Sequence, residues 1–128
     1  MTDCSLCNPQ LGPLLNESEH WRLVLNWNQD LLGKCFLATR RHVETLVALT
    51  PEEWADLQPQ LQRVTSRLVT AFVPAHFNYA FLQNQDRHVH VHIIPRYRDD
   101  PLVLPWRPGE APADPTELAD ISRSYFTD

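Results

Sequence analysis

Two segments near the N-terminus are rich in residues that favour β-strands. The first is WRLVLNW at 21–27 and the second is KCFLATR at 34–40, with the loop NQDLLG between them. Two more strands are predicted later in the chain, FNYAFLQ at 77–83 and the histidine-rich residues 88–94, separated by the turn NQDR. The pattern therefore predicts two pairs of neighbouring strands.

The segment between these strand pairs is predicted to be mainly helical. RHVETLVAL at 41–49 is expected to contain a short helix, and Thr50, Pro51 and Glu53 then form a capping box that begins a longer one. Pro59 lies inside the longer helix, and because an interior proline costs about 3 kcal/mol, we predict a kink or a break near residues 55–58. The apolar stripe recurs every three or four residues and comprises Trp54, Leu57, Leu61, Val64, Leu68 and Phe72.

The order strand, strand, helix, strand, strand predicts an α+β domain. Its mainly antiparallel sheet is packed by the one longer helix, and a short C-terminal helix is expected from Pro115 to Phe126. Residues 99–128 hold five of the eleven prolines, so their first half is expected to be extended and irregular. We therefore predict one domain at 1–98 and a Pro-rich segment at 99–128 that packs on the same domain.

The composition fits one ordinary soluble domain and argues against several classes of partner. The chain has 128 residues, of which 43% are hydrophobic and 21% charged, and no apolar run approaches the roughly 20 residues of a membrane span. The net charge of −5 argues against general binding to nucleic acid or to anionic membranes. The N-terminus MTDCSLCNPQ lacks the features of a secretory signal, so the expected location is the cytoplasm.

Basic side chains are nevertheless concentrated in or beside segments that we expect near the histidines. Such a patch could receive a phosphorylated small molecule, and scattered, solvated surface charge is the alternative. The six residues are Lys34, Arg40, Arg41, Arg87, Arg96 and Arg98.

Three of the six histidines stand at every second position of RHVHVHII. In a strand, His88, His90 and His92 would share one face and leave the aliphatic residues between them for the core. Neighbours on one face are about 6.6 Å apart and the outer pair about 13 Å, whereas ligands of one zinc ion lie about 2 Å from it. Three histidines of one strand do not easily share a metal, so we predict a division of roles. A metal-binding row and a row without chemistry are the alternatives.

One of these imidazoles is a candidate nucleophile. A neutral imidazole attacks well near pH 7 and becomes a cationic leaving group once it is bonded to phosphorus. The reacting ring needs one bare nitrogen and a hydrogen bond that holds the proton on the other. A backbone carbonyl of the same strand or an adjacent imidazole can accept that bond.

Two of the three cysteines, Cys4 and Cys7, form a Cys-x-x-Cys pair. A redox motif, half of a zinc site and chance are all open interpretations of this pair. Cys35 is expected to be a buried small hydrophobe.

The run HVHVHII followed by PR resembles the signature of the histidine triad family of nucleotidyl hydrolases and transferases. NYAFLQN before it and LVLNWNQDLLGKCFLATRRHVETLVALTPEEW further upstream are similar to the family's preceding strands and helix, so the resemblance covers residues 1–98. It implies an α+β fold, often paired into a homodimer, that cleaves a purine nucleotide derivative at the α-phosphate through a covalent nucleotidyl-histidine. Adenosine phosphoramidates and dinucleoside polyphosphates are the implied substrates, and no organic cofactor is implied.

The resemblance also implies roles for individual residues. His90 would be the nucleophile, His92 would hydrogen-bond near the phosphate and orient His90, and His88 begins the triad. Asn26 falls at the position that contacts the ribose, and Asn84 falls near one that hydrogen-bonds the phosphate or the leaving group.

Three departures from the family pattern affect these roles. Lys34 stands where many members have a fourth histidine, and it supplies positive charge to a phosphate but no acid or base near pH 7. The link before the motif is only Gln85-Asp86-Arg87, in which Gln85 or Arg87 would replace missing donors and Asp86 would face solvent. Gln83 stands where short-loop members often have glycine, a change that we do not explain.

Some family members hold a structural zinc ion through a ligand set that this sequence also contains. Cys4, Cys7, His42 and His88 would form a closed Cys₂His₂ site that attaches the N-terminus to the sheet and leaves no position for substrate. Ordinary thiols on a frayed terminus are the alternative.

Three functions are therefore open at the level of sequence. The first is nucleotide hydrolysis or transfer through His90. The second is a zinc-stabilised nucleotide-binding or interaction module with little turnover, which Lys34 and the short link favour. The third is a metal-dependent enzyme in which two strand histidines bind the ion.

Overall fold

The computed structural model describes residues 4, 6–7, 12–26, 29–82 and 87–99. Within them lie five strands, one α-helix and one 3-10 helical turn. The strands are β1 (Leu14–Glu17), β2 (Trp21–Leu25), β3 (Cys35–Thr39), β4 (His76–Ala80) and β5 (His90–Arg96), the helix is α1 (Pro51–Phe72), and the 3-10 turn spans Leu46–Ala48.

All five strands form one antiparallel sheet in the order β1-β2-β3-β5-β4. Helix α1 packs on one face of this sheet, so the predicted α+β fold is confirmed. The sequence pattern missed β1, because a strand of four residues at the sheet edge has too few alternating positions to be recognised.

The main core lies between α1 and the sheet. Alternation along the strands sends one row of side chains from each central strand to this side, and Leu23, Leu37 and Val91 are buried there. They belong to the same cluster as Val64 and Leu68 of α1. This packing leaves the opposite face of the central strands available for other groups.

A smaller cluster covers that opposite face. Val24, Phe36 and Ala38 of the central strands pack there with Leu6, and Cys4 packs against the cluster. Leu6 is fully buried, although it precedes all five strands in the sequence. Cys4 and Leu6 therefore lie on the side of the sheet that faces away from α1.

Helix α1 begins as the sequence predicts. Oγ1 of Thr50 accepts a hydrogen bond from the N–H of Glu53 at 3.1 Å, and the Glu53 carboxylate accepts one from the N–H of Thr50 at 2.8 Å. The capping box is thereby confirmed. Hydrogen bonds from Arg41 hold the pKa of Glu53 below its usual value, although burial opposes this shift.

The break predicted near residues 55–58 does not occur, because α1 is continuous from Pro51 to Phe72 with Pro59 inside it, and the alternative of a kink there stays a prediction. Pro59 cannot donate to the carbonyl of Ala55, but both residues are exposed, so water can satisfy that carbonyl. Trp54 of the predicted stripe is 44% exposed. The other members face the core as predicted: Leu57, Val64 and Leu68 are buried, and Leu61 and Phe72 are partly buried.

Several predicted boundaries shift. β4 ends at Ala80 rather than at residue 83, and β5 begins at His90 rather than at residue 88. The short helix expected within 41–49 is the 3-10 turn. The Pro-rich segment and its expected helix lie outside the described residues, so the division at residue 98 stays a prediction. Among the described helices, none combines the length and the apolar character needed to cross a bilayer.

Candidate functional site

His90 and His92 are neighbours on one face of β5. The strand register places Ala38 of β3 opposite His90 and Phe36 opposite His92. The two imidazole centroids are 4.9 Å apart, and the Phe36 ring lies 5.9 Å from the ring of His90 and 6.0 Å from that of His92. Because Val91 between them belongs to the core under α1, the two imidazoles lie on the opposite face.

A backbone carbonyl determines the position of the proton on the His90 ring. Nδ1 of His90 lies 2.7 Å from the carbonyl oxygen of His88. Since a carbonyl oxygen only accepts, Nδ1 carries the proton and Nε2 keeps a bare lone pair. This is the state that nucleophilic attack requires. His90 is 8% exposed, so protein rather than bulk water forms most of its surroundings.

The neighbouring ring of His92 is neutral at pH 7. Burial lowers the pKa of His92 to about 4, and the charges of His90 and Lys34 act in the same direction. A neutral imidazole can donate one hydrogen bond beside His90 without adding a second positive charge.

His88 lies just before β5 and is fully buried. Its Nε2 is 2.7 Å from the carbonyl oxygen of Thr39, so Nε2 donates and Nδ1 keeps its lone pair. Burial lowers the pKa of His88, and the charges of His42 and His90 add to this effect, while the bond to Thr39 opposes it. A neutral ring with a free lone pair is the form of histidine that binds a metal.

Nδ1 of His88 faces three further donor atoms from distant parts of the chain. It lies 3.3 Å from Sγ of Cys4, 3.5 Å from Sγ of Cys7 and 3.2 Å from Nδ1 of His42. Sγ of Cys7 is 3.1 Å from Nδ1 of His42, and all four donor atoms lie within 4.8 Å of one another. The structure thus brings together the four residues that the resemblance implies as zinc ligands. We call them the Cys₂His₂ cluster.

The spacing of the Cys₂His₂ cluster fits a tetrahedral metal ion. Bond lengths of about 2.1 Å to nitrogen and about 2.3 Å to sulfur place ligand atoms about 3.3–3.8 Å apart. The four contacts described above span 3.1–3.5 Å. Burial, together with the neighbouring Cys4, raises the pKa of the Cys7 thiol, and a bound cation would reverse this by stabilising the thiolate. Cysteine sulfur and histidine nitrogen are also the donor types that zinc prefers.

Lys34 lies in a tight loop close enough to influence the His92 ring. Its Nζ is 2.8 Å from Oδ1 of Asp30, and both side chains are buried. Gly33 directly before it has a φ of +93°, and a Cβ there would lie 2.9 Å from Cδ2 of Leu68, so the loop requires glycine. Sequence reasoning missed Asp30, because a spacing of four residues to Lys34 carries no fixed meaning outside a helix.

The other predicted substrate residues are only partly described. Asn26 follows β2 and is half-buried, and its N–H donates to the carbonyl of Lys34 at 3.1 Å. Its own carbonyl accepts a hydrogen bond from Nε2 of Gln29 at 2.7 Å, so the backbone next to the candidate ribose contact is held in place. Asn84 and Gln85 lie outside the described residues.

The basic residues do not gather into one unpaired patch. Arg40 lies 3.2 Å from the carboxylate of Glu17, and Arg41 lies 2.8 Å from that of Glu53 at the start of α1. Lys34 is paired as well, but it lies near His92. Arg40 and Arg41 therefore fit the alternative of scattered surface charge, and each of them is paired with a carboxylate.

The sequence model of the HIT domain matches residues 13–99 of this chain. The matched range contains all five strands, α1, His42 and the three alternating histidines. It does not contain Cys4 and Cys7, so half of the Cys₂His₂ cluster comes from outside the match. No curated protein matches the chain.

Solved structures share the fold over most of the chain. A histidine triad protein from Sinorhizobium meliloti is 23% identical with a TM-score of 0.77, and the alignment covers 89% of this chain and 87% of that one. A HIT family protein from Bacillus anthracis is 24% identical with a TM-score of 0.70 and 82% coverage of both chains. A Zn-bound histidine triad family protein from Mycobacterium smegmatis is 19% identical with a TM-score of 0.69, covering 96% of this chain and 98% of that one.

Proposed function

Because this chain belongs to the HIT family, we propose that it is a nucleotide hydrolase or nucleotidyl transferase that acts at the α-phosphate of a purine nucleotide derivative. The observation that carries the proposal is the 2.7 Å hydrogen bond from Nδ1 of His90 to the carbonyl of His88, which leaves Nε2 bare. Adenosine phosphoramidates and dinucleoside polyphosphates are the proposed substrates.

The proposed reaction consists of two displacements at phosphorus. Nε2 of His90 attacks the α-phosphorus, and the leaving group departs with the electrons of the broken bond and takes up a proton. Water then attacks the same phosphorus, the bond to His90 breaks, and nucleoside monophosphate is released. Another acceptor in place of water gives transfer instead of hydrolysis.

The groups around His90 suit its change of charge during this cycle. When Nε2 becomes bonded to phosphorus the ring becomes cationic, and its hydrogen bond from Nδ1 to the His88 carbonyl becomes charge-assisted and stronger. The neutral ring of His92 is proposed to donate a hydrogen bond to a phosphoryl oxygen and to orient His90. Positioned groups of this kind provide much of the rate enhancement in transfer reactions at phosphorus.

The nucleotide is proposed to bind along the same sheet face. Asn26 contacts the ribose hydroxyls, and its backbone bond to Lys34 places these two residues side by side. Lys34, Asn84 and Gln85 are proposed to contact the phosphate or the leaving group, and the position of Lys34 near His92 supports its part in this.

The Cys₂His₂ cluster is proposed to hold structural zinc. The spacing of its four donor atoms supports this, and the related protein from Mycobacterium smegmatis is Zn-bound. Such a site is closed and attaches the segment of Cys4 and Cys7 to the sheet. Protein purified without chelator should contain close to one equivalent of zinc, and less than about a tenth of an equivalent would contradict the assignment.

The proposed function is tested by replacing the nucleophile. His90→Ala and His90→Gly should leave the fold intact and abolish release of adenosine monophosphate from a panel of adenosine phosphoramidates and dinucleoside polyphosphates. Wild-type protein quenched during turnover should carry labelled nucleotide on His90, detected by mass spectrometry of its peptides.

His76→Ala is the matched control for these variants, because His76 is exposed on β4. It should hydrolyse the panel at the wild-type rate. Undiminished turnover by His90→Ala would contradict the nucleophile assignment, and a metal-dependent route through two strand histidines would give turnover without any adduct on His90.

One observation favours a second function, a zinc-stabilised nucleotide-binding module with little turnover. Lys34 is buried and already neutralised by Asp30, so it offers less positive charge to a phosphate than an unpaired lysine. Under this alternative, wild-type protein would bind adenosine monophosphate in calorimetry but would neither hydrolyse the panel nor accumulate the adduct.

We also propose that the protein acts in the cytoplasm as a homodimer. Reducing conditions there keep Cys4 and Cys7 as thiols that can bind zinc. Strand β4 lies at one edge of the sheet, and such an edge is a surface that can pair with a second copy.

A further inference from the structure

His88 belongs to two sites at the same time. Its imidazole contributes Nδ1 to the Cys₂His₂ cluster, 3.2–3.5 Å from the other donor atoms. Its backbone carbonyl accepts the hydrogen bond from Nδ1 of His90 at 2.7 Å. One residue therefore connects the candidate metal centre with the candidate nucleophile.

The backbone around His88 is tied to the same segments that carry the cluster. Nε2 of His88 donates to the carbonyl of Thr39 at 2.7 Å, and the N–H of Thr39 donates to the carbonyl of Val89 at 3.1 Å. The N–H of Val89 donates to the carbonyl of Val43 at 2.7 Å. Val43 directly follows His42, a cluster residue, so a shift of either histidine moves the peptide unit that faces His90.

We propose that the Cys₂His₂ cluster positions the nucleophile: a tetrahedral metal ion bound to Cys4, Cys7, His42 and His88 holds the His88 carbonyl in place and so keeps the proton of His90 on Nδ1. The inference rests on the proposed function and assigns to Cys4, Cys7 and His42 a positioning role in it. None of these three residues contacts His90 through a hydrogen bond described above.

The physical basis is the number of constraints on His88. With a metal ion bound, the ring of His88 is held at both nitrogens, by the ion at Nδ1 and by Thr39 at Nε2. Without the ion, Nδ1 of His88 has only hydrogen-bond contacts to the two thiols and to the imidazole of His42. Cys4 and Cys7 are then no longer attached to His88 through a shared ion. The His88 carbonyl then has more freedom, and the tautomer with the proton on Nε2, which cannot attack, becomes populated.

The test reads the tautomer of His90 directly. Long-range ¹H–¹⁵N NMR of histidine-labelled protein should show a single His90 tautomer with the proton on Nδ1 in zinc-loaded wild type. Zinc-stripped wild type and Cys7→Ser should show a measurable Nε2–H population. Their kcat should fall at least about 10-fold, as expected for loss of a group that orients a reactive one, while KM changes less than about twofold.

Two variants control this experiment. Cys35→Ala removes a buried thiol outside the cluster and should keep both the tautomer and kcat of wild type. Cys7→His retains four metal ligands and, with zinc added, should restore the Nδ1–H tautomer that Cys7→Ser loses.

Three results would overturn the inference. A folded, zinc-free protein whose His90 stays entirely in the Nδ1–H tautomer shows that the cluster does not position it. Global unfolding of stripped wild type and Cys7→Ser alike shows a purely structural metal. Failure of zinc to restore the tautomer in Cys7→His protein that has taken up one equivalent of zinc separates the metal from the effect. If zinc-loaded wild type neither turns over substrate nor forms the adduct, the proposed function fails even where the tautomer follows zinc.

Discussion

At the scale of single residues, Lys34 and Asp30 form an ion pair whose side chains are 6% and 1% exposed. Taking two charges out of water is costly, and their mutual attraction and hydrogen bond offset that cost only while both are present. The pair therefore stabilises one conformation of the loop before β3, in which Lys34 lies near the ring of His92.

Breaking this pair should destabilise the protein strongly. Lys34→Met leaves the buried carboxylate of Asp30 without its cation and should lower the free energy of unfolding by about 3–5 kcal/mol. Urea denaturation of Lys34→Met, Asp30→Leu and the double variant measures the coupling. The double variant should lose less unfolding free energy than the two single variants together, and the difference should exceed about 1 kcal/mol. Simple additivity of the two changes would show that the pair does not act as a unit.

His92 should give the protein a specific dependence on pH. Its pKa is about 4 in the folded protein and 6.5 as the reference value, so between these limits the unfolded chain takes up a proton that the folded one refuses. The contribution of His92 to the free energy of unfolding is therefore fully present above pH 6.5 and is lost as the pH falls toward 4. A shift of this size corresponds to about 3 kcal/mol.

The measurement compares urea denaturation of wild type and His92→Gln from pH 7 to pH 4. Subtracting the variant removes contributions that both proteins share, including those of His88 and of the Cys₂His₂ cluster. The difference in unfolding free energy should shrink by about 3 kcal/mol across that window. A difference independent of pH would mean that the His92 ring is not held neutral by its surroundings.

At the scale of elements, α1 depends on its first turn. The capping box uses Oγ1 of Thr50 and the carboxylate of Glu53, and Arg41 pairs with the same carboxylate from the preceding loop. Negative charge at a helix N-terminus is favourable because of the helix dipole, so Glu53 serves both the cap and the dipole. The cap also fixes where the loop carrying Arg41 joins α1.

Removing the hydroxyl of Thr50 should therefore weaken α1. Thr50→Ala leaves the N–H of Glu53 without its acceptor and should lower the unfolding free energy by about 1 kcal/mol, measured by thermal or urea denaturation. Thr50→Ser keeps an acceptor, so its unfolding free energy should stay within a few tenths of a kcal/mol of the wild-type value. Equal stability of all three proteins would show that the cap contributes nothing measurable.

The strands show why element boundaries are harder to predict than element types. Alternation is visible within 88–94, but pairing with β3 and β4 sets the observed limits of β5 at His90 and Arg96. His88 lies outside β5, and its ring hydrogen-bonds to the carbonyl of Thr39. Boundaries thus depend on partners that lie elsewhere in the chain.

At the scale of the whole molecule, one side combines the sheet edge with exposed apolar side chains. Tyr79 of β4 is 49% exposed, and Phe81 and Leu82 just after it are 36% and 39% exposed. On α1, Val69 is 47% exposed, and the hydroxyl of Thr65 lies 2.9 Å from that of Tyr79. Apolar exposure of this kind on a small domain is typical of an interaction surface.

The proposed homodimer should depend on this side. Wild-type protein at micromolar concentration should have twice the 14.9 kDa chain mass in light scattering after gel filtration. Tyr79→Lys should shift it toward the monomer, because like charges would meet across a two-fold interface. Val47→Lys, at a residue 92% exposed on the 3-10 turn, is the control and should stay dimeric. A monomeric wild type would contradict the proposal.

Features that depend on close neighbours in the chain are predictable from spacing alone. The capping box at Thr50 and the alternation of His90 and His92 are of this kind, because helix and strand periodicity act over a few residues. The antiparallel α+β class follows from the order of such elements. The Cys₂His₂ cluster could be predicted only from the resemblance to a family, because that resemblance relates residues that are far apart in the sequence.

Contacts between remote segments arise only when the chain folds. The donor atoms of Cys4 and His88 are 84 residues apart in sequence but 3.3 Å apart in space, and no local pattern encodes that approach. The same holds for the carbonyl of His88 that accepts the hydrogen bond from Nδ1 of His90. Every residue has such a carbonyl, and only tertiary packing directs this one toward the His90 ring. Residue types thus establish which chemistry is available, while long-range packing selects the atoms that carry it out.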